Sequence, residues 1–244
     1  MATGTVTYAA PVASVRFGPI EVSNSHPAVE KVIIETQDSE QIQVVFHLLD
    51  VFTETEANAI AGNIVASIIN RLTFELDRGI GQPYMKGFSL PKDASGSSNR
   101  VSNSVRILWG VAAPTITLGN ERRQELEKIL EQPLGRPDLY SAYRFVVNQG
   151  DDVARFMFLY SILLQLQPDD DQKYVDNFIR REMPNVPQSQ RPDKPNVNET
   201  IFTRLRNEIA HRRPGTTLEQ THREIRENVA SFQALVRTAI SRTV

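Results

Sequence analysis

The chain has 244 residues, of which 40% are hydrophobic and 23% charged. That composition excludes collagen-like, low-complexity and wholly disordered architectures and allows one large domain or two modest ones. Its 27 basic residues nearly balance 29 acidic ones, for a formal net charge of -2, so any nucleic-acid-binding surface must be local. With no cysteine and only 4 histidines, disulfides, iron–sulfur clusters, thiolate zinc sites and cysteine nucleophiles are excluded, and no metal or cofactor is expected.

The segment from Met1 to Phe17 lacks a basic region followed by an apolar core, so it is not read as a signal peptide. The longest greasy run, Phe156 to Leu166, is too short to cross a bilayer, which points to a cytoplasmic protein with no membrane partner. Val12 to Val22 offers one or two strands around Gly18-Pro19. The β-branched runs Val32 to Thr36 and Ile42 to Leu49, separated by Gln37-Asp38-Ser39-Glu40, predict a hairpin in which His47 is an ordinary sheet residue. Thr53 and Glu56 form a capping-box pattern, and Ala57, Ile60, Ala61, Ile64, Val65, Ile68, Ile69 and Leu72 follow at helical spacing. That helix should pack on the sheet and stop before Gly79. A Ser/Asn-rich stretch, 92–104, predicts an exposed loop; Val105 to Trp109, with Trp109 in the core, and Thr115 to Leu118 predict strands. Asn120 is expected to cap a charged helix through Glu131, and Pro133, Gly135 and Pro137 mark a boundary.

Beyond that boundary the pattern is helical. Asp138 starts a helix with Leu139, Ala142, Tyr143, Val146 and Val147 on one face. Asp151 and Asp152 suit the N-terminus of the next, Val153 to Leu166, which is apolar on nearly all sides and therefore predicted buried. Asp170 to Glu182 follows, with Tyr174, Val175, Phe178 and Ile179 inward. Pro184, Pro187, Pro192 and Pro195 predict a long polar loop. Asn198 is then expected to cap a helix carrying Ile201, Phe202, Leu205 and Ile209. After Pro214, Thr217 and Gln220 repeat the capping box before a last helix with Ile225, Val229, Phe232, Leu235, Val236 and Ile240 on one stripe. The expected architecture is an α+β N-terminal domain over residues 1–135, of no recognisable chemistry, and an all-α up-and-down helical bundle over 138–244.

Familiar motifs fail. Gly79-Ile80-Gly81 opens like a dinucleotide loop, but Pro83 follows and a third glycine is absent. No Walker A loop or HExxH is present. Asp169-Asp170-Asp171 lacks the alternating spacing of a calcium loop and reads as a helix start. Asn198-Glu199-Thr200 matches a glycosylation sequon, with capping as the reading preferred.

One constellation survives, Leu205-Arg206-Asn207-Glu208-Ile209-Ala210-His211-Arg212-Arg213-Pro214. On a helix Asn207 and His211 lie one turn apart on the same side, with Arg206 displaced by about 100° and Leu205 and Ile209 toward the core. The helix dipole favours an imidazolium at His211, and Arg212 and Arg213 oppose it. These residue types suit phosphodiester chemistry without a metal. An imidazole moves a proton, a guanidinium holds phosphate oxygens, and an amide orients either. Cleavage of RNA by its own 2′-hydroxyl uses a base and an acid, which a two-fold dimer of such helices would supply. Of the 27 basic residues 21 are arginine, and residues 198–244 hold 8 arginines against 5 acids, which suits phosphate recognition.

An Arg-x4-His with Asn directly after the Arg, near the end of a helical bundle, resembles the HEPN superfamily over residues 138–244, and within it the MauJ-like branch. The resemblance implies a bundle that dimerises along the motif helix. It also implies metal-independent endoribonuclease activity, with Arg206 and His211 catalytic and Asn207 supporting, and a role in defence or stress response. RNA is the implied substrate, with Arg212 and Arg213 gripping its backbone. Members regulated by nucleotide transfer to tyrosine carry a Tyr two residues after the His; here Arg213 stands in that place. The alternative is a non-catalytic module for dimerisation or for binding a nucleotide or other ligand. In that case Arg206 would pair with Glu208 or an acid from the N-terminal part, and Asn207 and His211 would close the bundle end through backbone hydrogen bonds.

Overall fold

The computed structural model describes residues 2–91, 99–101, 114–192, 194–211, 213 and 215–243. The strand expected over Val105 to Trp109, Trp109 itself, Arg212, Pro214 and most of the 92–104 stretch lie outside the described residues. The chain divides into two units, Met1–Pro137 and Asp138–Val244.

In the first unit β1 (Thr3–Pro11), β2 (Val15–Arg16), β3 (Ile20–Val22), β4 (Val29–Thr36) and β5 (Gln41–Leu49) precede α1 (Glu54–Leu76). After them come β6 (Tyr84–Ser89), β7 (Asn99–Val101), β8 (Ile116–Thr117) and α2 (Asn120–Glu131). The main sheet runs β3-β4-β5-β1-β6-β7 with antiparallel neighbours. The β4–β5 hairpin is the one the two β-branched runs predict. β1 and β6 were not anticipated, although β1 joins β5 to β6 near the middle of the sheet. β7 also replaces part of the loop expected over 92–104, because Asn99, Arg100 and Val101 pair with Ser89, Phe88 and Gly87. β2 and β8 form a separate parallel pair.

Alternation puts Val32, Ile34, Ile42, Val44, Phe46 and Leu48 into a core, and the Ala57, Ala61, Val65, Ile69 and Leu72 stripe of α1 shares it. Thr53 caps α1 by accepting the Glu56 amide at 3.2 Å. The helix ends at Asp77, whose φ of 50° is left-handed. Asn120 does not cap α2: the cap position is Gly119, and Asn120 is the first helical residue. Gly81 sits where an added Cβ would lie 2.5 Å from Pro11 Cγ, so its smallness serves strand packing.

The second unit is helical with one strand pair. α3 (Pro137–Val147) and α4 (Asp152–Gln165) lead to a 3-10 turn at Pro168–Asp170 and α5 (Gln172–Glu182). β9 (Gln188–Arg191) and β10 (Lys194–Thr200) then precede α6 (Ile201–Ala210) and α7 (Leu218–Ser241). Proline suits the first position of α3, whose missing amide would be unpaired anyway. Asp151 caps α4 through the Ala154 amide at 2.7 Å, and Thr217 caps α7 through the Gln220 amide at 3.2 Å. Phe232 of α7 gathers the core, with Phe202, Phe156 and Tyr160 ring centroids at 4.6, 5.0 and 6.1 Å.

Several expectations need correction. The unit is not all-α: the expected Pro184–Pro195 loop gives way to an antiparallel β9–β10 pair. Its prolines are tolerated because they fall outside the paired positions or on a two-stranded edge. Asn198 does not cap α6, since its pairing with Gln190 keeps it in β10; Thr200 is the cap. α4 is not buried all round. Phe158 is 42% exposed and meets Phe145, 54% exposed, edge to face at 5.1 Å. Tyr174 points outward at 40% exposure. Among the described residues no helix is long and apolar enough to cross a membrane.

Candidate functional site

The motif helix α6 starts from a buried polar cluster. Thr200 accepts the Thr203 amide at 3.4 Å to cap the helix, and its own hydroxyl donates to Asp176 Oδ1 at 2.7 Å. The same carboxylate oxygen accepts the Thr200 amide at 3.0 Å and the Thr203 hydroxyl at 2.8 Å. Asp176 stands on the inward face of α5, beside buried Val175 and Ile179, where only such donors make a carboxylate tolerable. The Thr203 and Tyr160 hydroxyls share a bond of 3.0 Å. Burial drives the Tyr160 phenol well above its ordinary range, while the Thr203 hydrogen bond works weakly the other way.

A second cluster surrounds Asn207. Its amide nitrogen donates to Glu199 Oε2 at 3.1 Å, and its oxygen accepts from Arg206 Nη1 at 3.0 Å and from Gln172 Nε2 at 3.0 Å. Glu199, at the end of β10, has no exposed surface and also receives Arg213 through both carboxylate oxygens, with Nη2 to Oε2 at 3.0 Å. That two-pronged pair returns the segment after α6 to β10. Arg206 is half-buried, and its guanidinium carbon lies 5.8 Å from the Tyr160 ring centroid, a cation–π contact.

The sequence-predicted residues therefore separate. Arg206 and Asn207 are brought together, and Arg213 joins Asn207 through their shared carboxylate. His211 is not one turn above Asn207 on a helical face. α6 stops at Ala210, and His211 is the C-cap with extended φ and ψ of -140° and 120°. Its backbone amide donates to the Asn207 carbonyl at 2.8 Å, while its side chain is exposed. Among the described residues no hydrogen-bond or ion-pair partner holds the imidazole. Ile209 is half-buried rather than in the core. Arg213 does not present a free guanidinium for an RNA backbone, because Glu199 engages both its terminal nitrogens. Glu208, a suggested partner for Arg206, instead bonds Arg204 at 2.8 Å and the Thr221 hydroxyl at 2.8 Å.

Sequence reasoning missed Glu199, Asp176, Tyr160, Thr203 and Gln172. One signal was present: Asp176 lies on the same helical stripe as Val175 and Ile179, and an acid among inward positions demands buried donors. No family model, curated protein or solved structure matches this chain.

Proposed function

We propose that the C-terminal unit is a metal-independent endoribonuclease of the HEPN type that works as a homodimer. The observation that carries this reading is the arrangement at the end of α6. Asn207 is buried and hydrogen-bonded at both ends of its amide, so it fixes Arg206, while the His211 imidazole four residues on is exposed and unengaged among the described residues.

In this mechanism the RNA 2′-oxygen attacks the adjacent phosphorus and the bond from phosphorus to the 5′-oxygen breaks. One His211 takes the 2′-hydroxyl proton, and the partner's His211, as imidazolium, protonates the leaving oxygen. Arg206 stabilises the negative charge that grows on the phosphoryl oxygens. The products are a 2′,3′-cyclic phosphate and a 5′-hydroxyl. Cleavage should persist in EDTA and give a bell-shaped pH–rate profile, as an acid and a base working together require. His211→Ala should reduce the rate by about 10²–10⁴-fold without altering the unfolding curve. Wild-type dimer that leaves diverse RNAs intact would overturn the reading.

A non-catalytic module for dimerisation or ligand binding is the second reading, favoured by how fully Glu199 engages Arg213 and Asn207. It requires Arg206→Ala to lower stability or dimer affinity. Sedimentation and equilibrium unfolding of that variant separate the two.

A further inference from the structure

We propose that the open cleft between α5 and the β9–β10 pair is a bed for single-stranded RNA that leads to Arg206. The identity of the ligand rests on the nuclease reading above; the site itself rests on the following geometry. The cleft has a volume of about 1090 Å³, just above the ~300–1,000 Å³ range typical of small-ligand pockets. Its floor is Asp176 and Thr203, which satisfy one another and the Thr200 hydroxyl, so the floor is built before any ligand arrives.

Four of the 15 basic residues of the C-terminal unit line the cleft. The C-terminal unit contains two lysines, Lys173 and Lys194, and both line this cleft, with Arg191 and Arg180. Lys173 and Lys194 are exposed and make no ion pair among the described residues. Arg180 has a scaffolding part: it donates to the Gln188 side chain at 2.9 Å, to Asn177 Oδ1 at 3.2 Å and to the Asn198 carbonyl at 2.5 Å, tying α5 to the strands. Two of the lining carboxylates are similarly occupied. Asp171 caps α5 by accepting the Lys173 amide at 2.9 Å, and Asp176 holds the threonines, which leaves Asp169 as the third acid among the described lining residues. Among the described lining residues four cations thus stand against three carboxylates, and neither lysine side chain is tied to one of those acids.

The rest of the lining suits a nucleic acid strand. Asn177, Asn196 and Asn198 carry side-chain amides able to donate and accept toward base edges. Among the described residues no aromatic ring lines the cleft, so phosphate contacts rather than base stacking must carry affinity. Gln172 connects the cleft to the motif. It lines the wall and donates to the same Asn207 oxygen that receives Arg206. A strand lying against Gln172 is thus two hydrogen bonds from the guanidinium that would hold the scissile phosphate.

The test is fluorescence anisotropy of a short labelled oligouridylate on full-length His211→Ala protein, which keeps the RNA intact. Lys173→Gln with Lys194→Gln should weaken binding roughly tenfold and flatten the plot of log affinity against log salt by about 1.4, or about 0.7 per lost phosphate contact. Lys128→Gln, on exposed α2 surface, should leave both unchanged. Affinity and salt slope that ignore the two cleft lysines would overturn the proposal, and so would RNA cleavage by wild type without any measurable binding there. Cleavage that survives in the double variant with unaltered KM sinks the cleft and spares the nuclease. Lysine-dependent binding without cleavage spares the cleft and sinks the nuclease.

Discussion

Glu199 and His211 sit near the same helix and invite opposite expectations. The Glu199 carboxylate is fully buried and faces Arg213, whose side chain is 13% exposed. Removing the carboxylate leaves a buried guanidinium and the Asn207 amide without their acceptor, so Glu199→Ala should cost about 3–5 kcal/mol. His211→Ala removes an exposed ring and should change stability by less than about 0.5 kcal/mol. Urea unfolding of the two variants checks this, and equal losses would contradict the geometry. Tyr160 yields a pH prediction. Burial raises its phenol pKa in the fold, whereas the unfolded chain ionises near ~10. The folded form therefore holds the proton more tightly, and its advantage is complete below that value and falls as pH rises above it. Alkaline unfolding should begin there, with Tyr160 ionising only as the fold opens. Tyrosinate absorbance followed alongside circular dichroism would show it, and Tyr160→Phe should remove that component. At this scale the pairing of Arg206 with Asn207 was legible because the two adjoin in sequence on one helix, whereas the extended C-cap position of His211 was not. Glu199, Asp176, Tyr160 and Gln172 were not legible, because they arrive from β10, α5 and α4 rather than from the motif helix.

Helices announced themselves through two independent signals, an apolar stripe and a cap. Thr53, Asp151 and Thr217 accept the amides their spacing implies, and Asp171 caps α5 from within the acidic triplet. Strands were legible where one face is greasy, as in β4 and β5. In β1, Thr3, Thr5 and Thr7 alternate with Gly4, buried Val6 and Tyr8, a weaker signal because threonine and glycine supply four of those six residues. β9 and β10 carry no apolar alternation at all. Only Glu199 and Thr200 of β10 are buried, both of them polar, so the pair is held by backbone bonding and by Asp176, Asn207 and Arg213. Two caps with similar sequence should consequently differ in worth. Thr217 accepts the Gln220 amide at the exposed start of α7, and Thr217→Ala should cost about 1 kcal/mol. Thr200 also supplies one of the donors that satisfy buried Asp176. Thr200→Val keeps its shape but leaves that carboxylate short, for a further loss of about 1–3 kcal/mol. Chemical denaturation of both variants measures the difference.

At the scale of the whole molecule, each unit carries its own core. In the first, the α1 stripe and the alternating strand residues pack into a single cluster. In the second, Tyr143, Phe156, Tyr160, Phe202 and Phe232 are at most 1% exposed. The polar clusters at Asp176 and Glu199 are likewise closed by residues from Gln172 onward and by Tyr160, all inside Asp138–Val244. Among the described residues, the hydrogen bonds that position Arg206 and Asn207 come from Gln172 and Glu199, within Asp138–Val244. A segment of this size with a continuous aromatic core is within the range that folds alone. Residues 138–244 expressed by themselves should therefore give a helix-rich circular dichroism spectrum and a cooperative thermal transition. The same piece carrying Glu199→Ala should melt at a markedly lower temperature, since the partners lost lie in that piece. A fragment that is unfolded by both measures would mean that residues 1–137 complete its core, and the site would then have to be assigned to the whole chain.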